Sequence, residues 1–218
     1  MSELHTDVTA AEAYMESLAG EDELLIRIRE AIREAGMPEV SVAAGYGKML
    51  TMLAALSGAK RILEIGALGG YSGVCMARGM AESGTLTSLE LKAEYAKLAG
   101  RHLEQAGFGG RFRHLVGPAL EGLERLKKDG ETFDFFFIDA DKGNYLNYLD
   151  MALELAEPGA VIVADNLLLR GRTLNPDKNG PAVQAVREFN RRMAEDPRLL
   201  GTLLPAYDGL AVAMVKKA

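Results

Sequence analysis

Cys75 is the only cysteine and tryptophan is absent. A lone thiol cannot close an intrachain disulfide, so the chain needs no oxidising compartment. Basic excess is missing too: 25 Lys and Arg stand against 31 Asp and Glu, a net charge of −6. No overall positive field is available for gripping nucleic acid, which leaves only a local basic patch for that purpose. No apolar run reaches the roughly 18 residues of a membrane span. The opening MSELHTDVTA has neither the basic flank nor the apolar stretch of a secretion signal, so the cytoplasm is the expected location. Three catalytic signatures also fail. The GYSGV stretch puts Val74 where a nucleophile elbow needs glycine. The GYGK stretch follows no strand and lacks the Ser or Thr of a P-loop. His5, His102 and His114 have no partner at metal or triad spacing. What remains is 218 residues, 48% hydrophobic, enough for one well-cored domain.

Apolar residues at helical spacing, Leu24, Leu25, Ile28, Ala31 and Ile32, predict a helix stopped by Gly36 and Pro38, and a second helix runs through Met49, Leu50, Leu53 and Leu56 to Gly58. The period then changes. RILEIG, TLTSLEL, RFRHLVG, FDFFFID and AVIVAD are strand-like runs separated by helix-length stretches, the pattern of an α/β domain with a parallel sheet. LLGTLLP and GLAVAMVKK lie close enough to pair as an antiparallel hairpin. The segment from Arg170 to Pro181 is expected to be a flexible loop. Arg187, Arg191 and Arg192 read as a solvated helix face, and Cys75 as a small hydrophobe packed behind the glycine turn.

Two strand ends carry chemistry. EIGALGGYSG, from Glu64 to Gly73, joins the first strand to a helix, where doubly wound folds bind nucleotides. Gly66, Gly69 and Gly70 would let a ligand approach the backbone, although glycine at such a turn can be purely steric. Their spacing is not the dinucleotide fingerprint, and Glu64 would repel a pyrophosphate. Glu90 closes the second strand about twenty residues on, where a carboxylate accepts ribose hydroxyl protons. An adenosine bearing positive charge and no phosphate points to S-adenosylmethionine. Asp139 ends the fourth strand, and Asp165 with Asn166 ends the fifth. If these two strands are neighbours, as in an open α/β sheet with its switch point beside the first strand, their backbones lie about 4.8 Å apart and three oxygen donors could converge, a set suited to a hard cation such as Mg²⁺. The alternative is a pair of solvated acidic loop ends.

In this order and spacing LEIGALGGYS, GPAL (Gly117 to Leu120), FIDADKGNYLNY, DNLLLRG and DPRLLGTLLPAYDGL resemble the metal-dependent class I O-methyltransferases related to catechol and caffeoyl-CoA O-methyltransferases, over roughly Val40 to Val215. The resemblance implies a single Rossmann-like α/β domain over residues 1–218. Its seven-stranded, mostly parallel sheet would end in an antiparallel hairpin, with a helical extension over 1–40 and a catalytic core over 41–218. It further implies Glu64, Gly66, Tyr71 and Ser72 at the methionine end of the cofactor, Glu90 at the ribose and Ala119 at the adenine. Asp139, Asp165 and Asn166 would be the ligands of Mg²⁺, Mn²⁺ or Ca²⁺, with Asp141 beside the cofactor and Lys142 as the base. A homodimer is implied as well. Leu169 stands where the plant enzymes carry a tryptophan, and Val42 near a threonine of theirs, so an aromatic wall of the acceptor pocket is expected to be missing.

The expected acceptor is a catechol-like diol. A transfer-RNA hydroxyuridine is the alternative, with Arg111, Arg113, Arg170, Arg172 and Lys178 as a basic rim. A dehydrogenase using NAD and a non-catalytic cofactor binder are further rivals. Lys142 is read as the base or as a structural ion-pair partner of Asp141.

Overall fold

The computed structural model describes residues 8–217, with side chains from residue 10; His5 lies outside the described residues. Eight α-helices and seven strands are seen among them. Helices α1 (Val8–Ala19), α2 (Glu23–Glu34) and α3 (Ala44–Ser57) precede β1 (Arg61–Ile65), α4 (Tyr71–Gly79), β2 (Thr85–Glu90), α5 (Ala93–Gln105) and β3 (Phe112–Val116). After α6 (Ala119–Lys128) and β4 (Phe133–Ile138), one 3₁₀ turn (Lys142–Asn144) leads into α7 (Tyr145–Leu155). Then come β5 (Ala156–Asp165), α8 (Pro181–Glu195), β6 (Leu199–Leu204) and β7 (Leu210–Val215).

The strands form one sheet in the order β3-β2-β1-β4-β5-β7-β6. The first five are parallel, and β7 runs antiparallel to both β5 and β6. This is the doubly wound α/β architecture with the expected antiparallel edge. Strand order reverses between β1 and β4, which opens a crevice beyond their carboxyl ends.

Strand β4 shows why these residues belong at the centre. Phe136 and Ile138 enter one apolar cluster with Leu149 and Phe189, while Phe135 and Phe137 enter the other with Ile28, Ile62 and Val74. Helices on both faces make a strand without polar alternation the stable solution. One boundary differs from the sequence expectation. Strand β5 begins at Ala156, and the register with β4 breaks between Phe133 and Phe135 as the chain passes Pro158 and Gly159 (φ 92°). Proline and glycine inside a strand mark such irregularities.

Helix α2 follows its periodicity. Leu25, Ile28 and Ile32 are buried, and Asp22 caps it by accepting from the Leu25 amide at 3.0 Å. Helix α3 has no cap of its own at Ala43. Glu16 of α1 supplies one, its two carboxylate oxygens taking the amides of Ala44 and Gly45. Burial alone would raise the Glu16 carboxyl, but the Tyr207 hydroxyl and those two amides hold it below its ordinary value.

The three glycines of the first turn are steric. A Cβ at Gly66 (φ 99°) would overlap the Asp139 carbonyl oxygen, one at Gly69 would overlap Ile32, and Gly70 (φ 87°) lies against Ala99. Of the three only Gly66 lines the cavity described below, so the expected close approach of ligand to all three is corrected. Gly66→Ala is expected to cost at least about 3 kcal/mol, since strain and overlap add. Gly36→Ala, at φ 65° with open space around it, should cost about 1 kcal/mol. Urea unfolding of both variants checks the contrast, and equal losses would contradict the overlap.

Candidate active site

At the carboxyl ends of β1, β2, β4 and β5 lies a cavity of about 960 Å³. One end is built on Glu90, whose two oxygens accept from the Leu68 amide at 2.9 Å and the Lys92 amide at 3.0 Å. Each oxygen keeps a free lone pair, and the carboxylate faces a slot walled by Leu68, Leu91, Tyr95, Pro118 and Ala119. An apolar slot beside an oriented carboxylate fits a flat base with a ribose next to it. Ala119 falls there because it opens α6 just after the end of β3.

Gly66, Tyr71, Ser72, Asp139 and Asp141 line the same cavity, but Glu64 does not. Glu64 sits behind the wall, 1% exposed, with its oxygens taken by Ser72 Oγ at 2.5 Å and Ser88 Oγ at 2.6 Å. Burial pushes this carboxyl up to about 7 against the two serine hydrogen bonds, with Glu90 and Asp139 adding to the rise. Its contact with the cavity is therefore indirect, through Ser72. Tyr71 is held from the other side: its hydroxyl donates to Glu21 at 2.6 Å and its ring lies under the Arg29 guanidinium at 4.1 Å.

The second end gathers the acids. Ile138 pairs with Ala164, so Asp139 and Asp165 leave neighbouring strands at the same level, with Asn166 following in a left-handed conformation (φ 61°). Burial first, then the charge of Asp139, push the Asp165 carboxyl up to about 7. Lys142 Nζ donates to Asp139 Oδ1 at 2.8 Å and to the Tyr145 hydroxyl at 2.6 Å. The expected alternative partner, Asp141, is corrected by this geometry. Asp141 instead accepts from Asn144 Nδ2 at 2.6 Å and from the Tyr148 hydroxyl, so the 3₁₀ turn points Lys142 back towards the strand end.

Leu169 brings no aromatic ring to the cavity, but two tyrosines from elsewhere in the chain do. Tyr46 and Tyr207 line the cavity with ring centroids 4.7 Å apart, edge to face, and Leu169, buried in the opposite apolar cluster, lines it too.

The family model described as O-methyltransferase matches residues 15–217, nearly the whole chain. The chain belongs to the O-methyltransferase family. A protein of Niastella koreensis named Catechol O-methyltransferase is 40% identical to this methyltransferase over 210 residues, covering 93% of this chain and 95% of its own. Among solved structures, the O-methyltransferase from Bacillus cereus in complex with SAH superposes with a TM-score of 0.88 at 36% identity, over 95% of this chain and 97% of that one. TomG from Streptomyces achromogenes, in complex with SAM, gives 0.86 at 37% identity over 95% and 96%.

Several residues that shape the methyltransferase's cavity have no motif of their own. Arg29 of α2 donates to Glu21 at 2.6 Å and to the Val42 carbonyl at 2.8 Å, tying Tyr71 and the segment around Val42 to one guanidinium. Arg187, read as part of a solvated face, donates to the carbonyls of Thr173 and Asn175 and to Asn179, which fixes the loop after β5. The loop expected to be flexible is thereby pinned. Arg191 does lie on an exposed face, paired with Glu188 and Glu195, and Arg192 pairs with Asp150. His102 is satisfied by the Gly69 carbonyl at 2.7 Å, and Cys75 is buried among apolar neighbours. Among the described residues no helix is long and apolar enough to cross a membrane.

The Glu64 environment has a pH signature. Its folded value of about 7 lies above the ordinary 4.5, so between these two the unfolded chain has released a proton that the folded chain still holds. Stability from this group is lost as pH rises through that window, on the order of 3 kcal/mol in all. Glu64→Gln keeps one acceptor and gains one donor for the two serines. The unfolding free energy of the variant minus that of the native protein should grow from pH 4.5 to 7.5 and then level off. Denaturant melts across that range check it, and a flat difference would show that Glu64 ionises as freely inside the fold as outside.

Proposed function

We propose that this methyltransferase carries the methyl group of S-adenosylmethionine to one hydroxyl of a vicinal dihydroxy aromatic, with a divalent cation at Asp139, Asp165 and Asn166. The observation that carries the reading is the pair of carboxylates at adjacent strand ends, facing the same cavity as Glu90 and Ser72 and, among the described residues, ion-paired only through Lys142 to Asp139. Burial is the first cause of the raised Asp165 carboxyl and the neighbouring Asp139 charge the second, and a bound cation would relieve the second. Similar proteins solved with SAM or SAH support the donor, and a relative named for catechol supports the diol.

The donor set fits a hard cation. No group of three or more His, Cys, Asp or Glu that could hold a metal occurs among the described residues. Two carboxylates and one amide oxygen suit Mg²⁺, which keeps several water positions and needs few protein ligands. When bound, such an ion supplies Lewis acidity and a two-point template for vicinal oxygens.

The protein's own residues do the rest. Glu90 orients the ribose end, and the Glu64–Ser72 bond fixes the wall beside the methionine end. Alignment matters most here, because an in-line displacement held in reacting geometry recovers about 7–11 kcal/mol of barrier. Tyr145 donates its own proton to the Asp165 carbonyl at 2.9 Å, so towards Lys142 it is an acceptor that anchors Nζ. With Tyr145 as its anchor, Lys142 Nζ would turn from Asp139 when a cation binds there, and once it has lost its own proton its lone pair would take the hydroxyl proton of the acceptor. Tyr46, Tyr207 and Leu169 enclose an aromatic ring and exclude water around it.

Asp139→Asn, Asp165→Asn or exhaustive chelation should each abolish methyl transfer to 3,4-dihydroxyphenyl compounds, while S-adenosylhomocysteine still binds to the two variants. Matched monophenols should be poor substrates because they offer only one oxygen. Transfer of labelled methyl, paired with calorimetry, checks all three. Activity that survives chelation, or equal rates on monophenols and diols, would overturn the mechanism.

A further inference from the structure

Beyond Asn166 the chain turns through two consecutive left-handed residues, Leu169 (φ 49°) and Arg170 (φ 54°), and so places Arg170 and Arg172 on the rim of the cavity's acid-bearing end. One hydrogen bond between side chain and backbone holds each. The Arg170 amide donates to Asp208 Oδ1 at 2.5 Å, and Arg172 Nε donates to the Leu169 carbonyl at 2.9 Å. Arg187 then fastens the following residues through Thr173 at 3.0 Å and Asn175 at 2.6 Å.

The guanidinium tips are uncommitted. Among the described residues no carboxylate lies within ion-pairing distance of Arg170 or Arg172, whereas Arg191, Arg192 and Arg198 nearby in sequence all pair with acids. Acids on the same rim are already occupied: Glu39 pairs with Arg33, and Asp208 is engaged by the Arg170 amide. Two exposed, unpaired cations thus stand over a cavity whose floor is acidic. A cationic acceptor would be repelled at the mouth, and an anionic one would be repelled by the floor unless these arginines took its charge.

We infer that the acceptor carries a carboxylate on a short side chain, which Arg170 and Arg172 bind while its two hydroxyls reach towards Asp139 and Asp165. The inference rests on the diol reading above and adds the chemical class of the substituent. Guanidinium groups suit it because a planar fork meets a carboxylate with two parallel hydrogen bonds.

A matched pair of substrates isolates the charge: 3-(3,4-dihydroxyphenyl)propionate and its neutral amide, in which two methylenes insulate the ring hydroxyls from the difference. At low salt and saturating S-adenosylmethionine, kcat/KM for the acid should exceed that for the amide by about fivefold or more. The ratio should fall with added salt. In the Arg170→Ala/Arg172→Ala double variant it should fall to one or below, and Arg170→Lys/Arg172→Lys should restore part of it. Because the ratio is read within one protein, a general loss of activity cancels. Turnover of the amide with no preference for the acid, or a ratio unchanged in the alanine variant, would contradict the arginine assignment alone. Turnover of neither compound would contradict the diol reading and the inference with it.

Discussion

Ile138 pairs on one side with Ile65 and on the other with Ala164, so Gly66, Asp139 and Asp165 all leave the sheet at one level. That register is the constraint on which the site depends. It is enforced by Phe135, Phe136, Phe137 and Ile138, all fully buried and divided between two apolar clusters. A slip of one residue would send each side chain to the opposite face and carry Asp139 away from Asp165. Gly66 belongs to the same constraint, because only a residue without Cβ lets β1 end against the Asp139 carbonyl.

The two ends of the cavity are built differently. The end beside Glu90 and Ala119 rests on strand ends and helix starts of the sheet, with carboxylates oriented by backbone amides or serine hydroxyls. The other end is closed by segments outside the parallel sheet: the stretch from Glu39 to Tyr46, the loop after β5, and Tyr207 in the hairpin turn. Hydrogen bonds from α1 and α2 hold that second end, since Glu16 reaches Ala44, Gly45 and Tyr207 while Arg29 reaches Val42. The first two helices therefore support the acceptor wall. A general methyl-donor site joined to a replaceable acceptor wall is how one fold serves many substrates.

Strand runs and the two helices from Leu24 to Gly58 were legible because burial on one or both faces imposes periodicity on the sequence. So was the meeting of Asp139 with Asp165, since consecutive parallel strands beside a switch point bring their carboxyl ends together. What the sequence hid depends on contacts across the fold. Nothing local to Arg29 or Arg187 marks them as different from surface arginines, yet both spend their donors on carbonyls of distant loops. Lys142 is next to Asp141 in the chain but bonds Asp139, because one 3₁₀ turn reverses its direction. Glu64 looks like a cavity residue because it sits two places before the glycine turn. Alternation along β1 instead points it into the wall, where Ser72 and Ser88 receive it. The tyrosine pair in the cavity has no local mark either: Tyr46 and Tyr207 are 161 positions apart and meet only through the hairpin.

The central claim is that the carboxylates of Asp139 and Asp165 are kept side by side for a cation. Anomalous diffraction from crystals grown with Mn²⁺ and S-adenosylhomocysteine tests it most directly. The account predicts one manganese peak bounded by oxygens of Asp139, Asp165 and Asn166, within about 2.5 Å of each. Lys142 Nζ should then be turned from Asp139 towards the open cavity. Manganese absent from that position, with Lys142 still paired to Asp139, would contradict it.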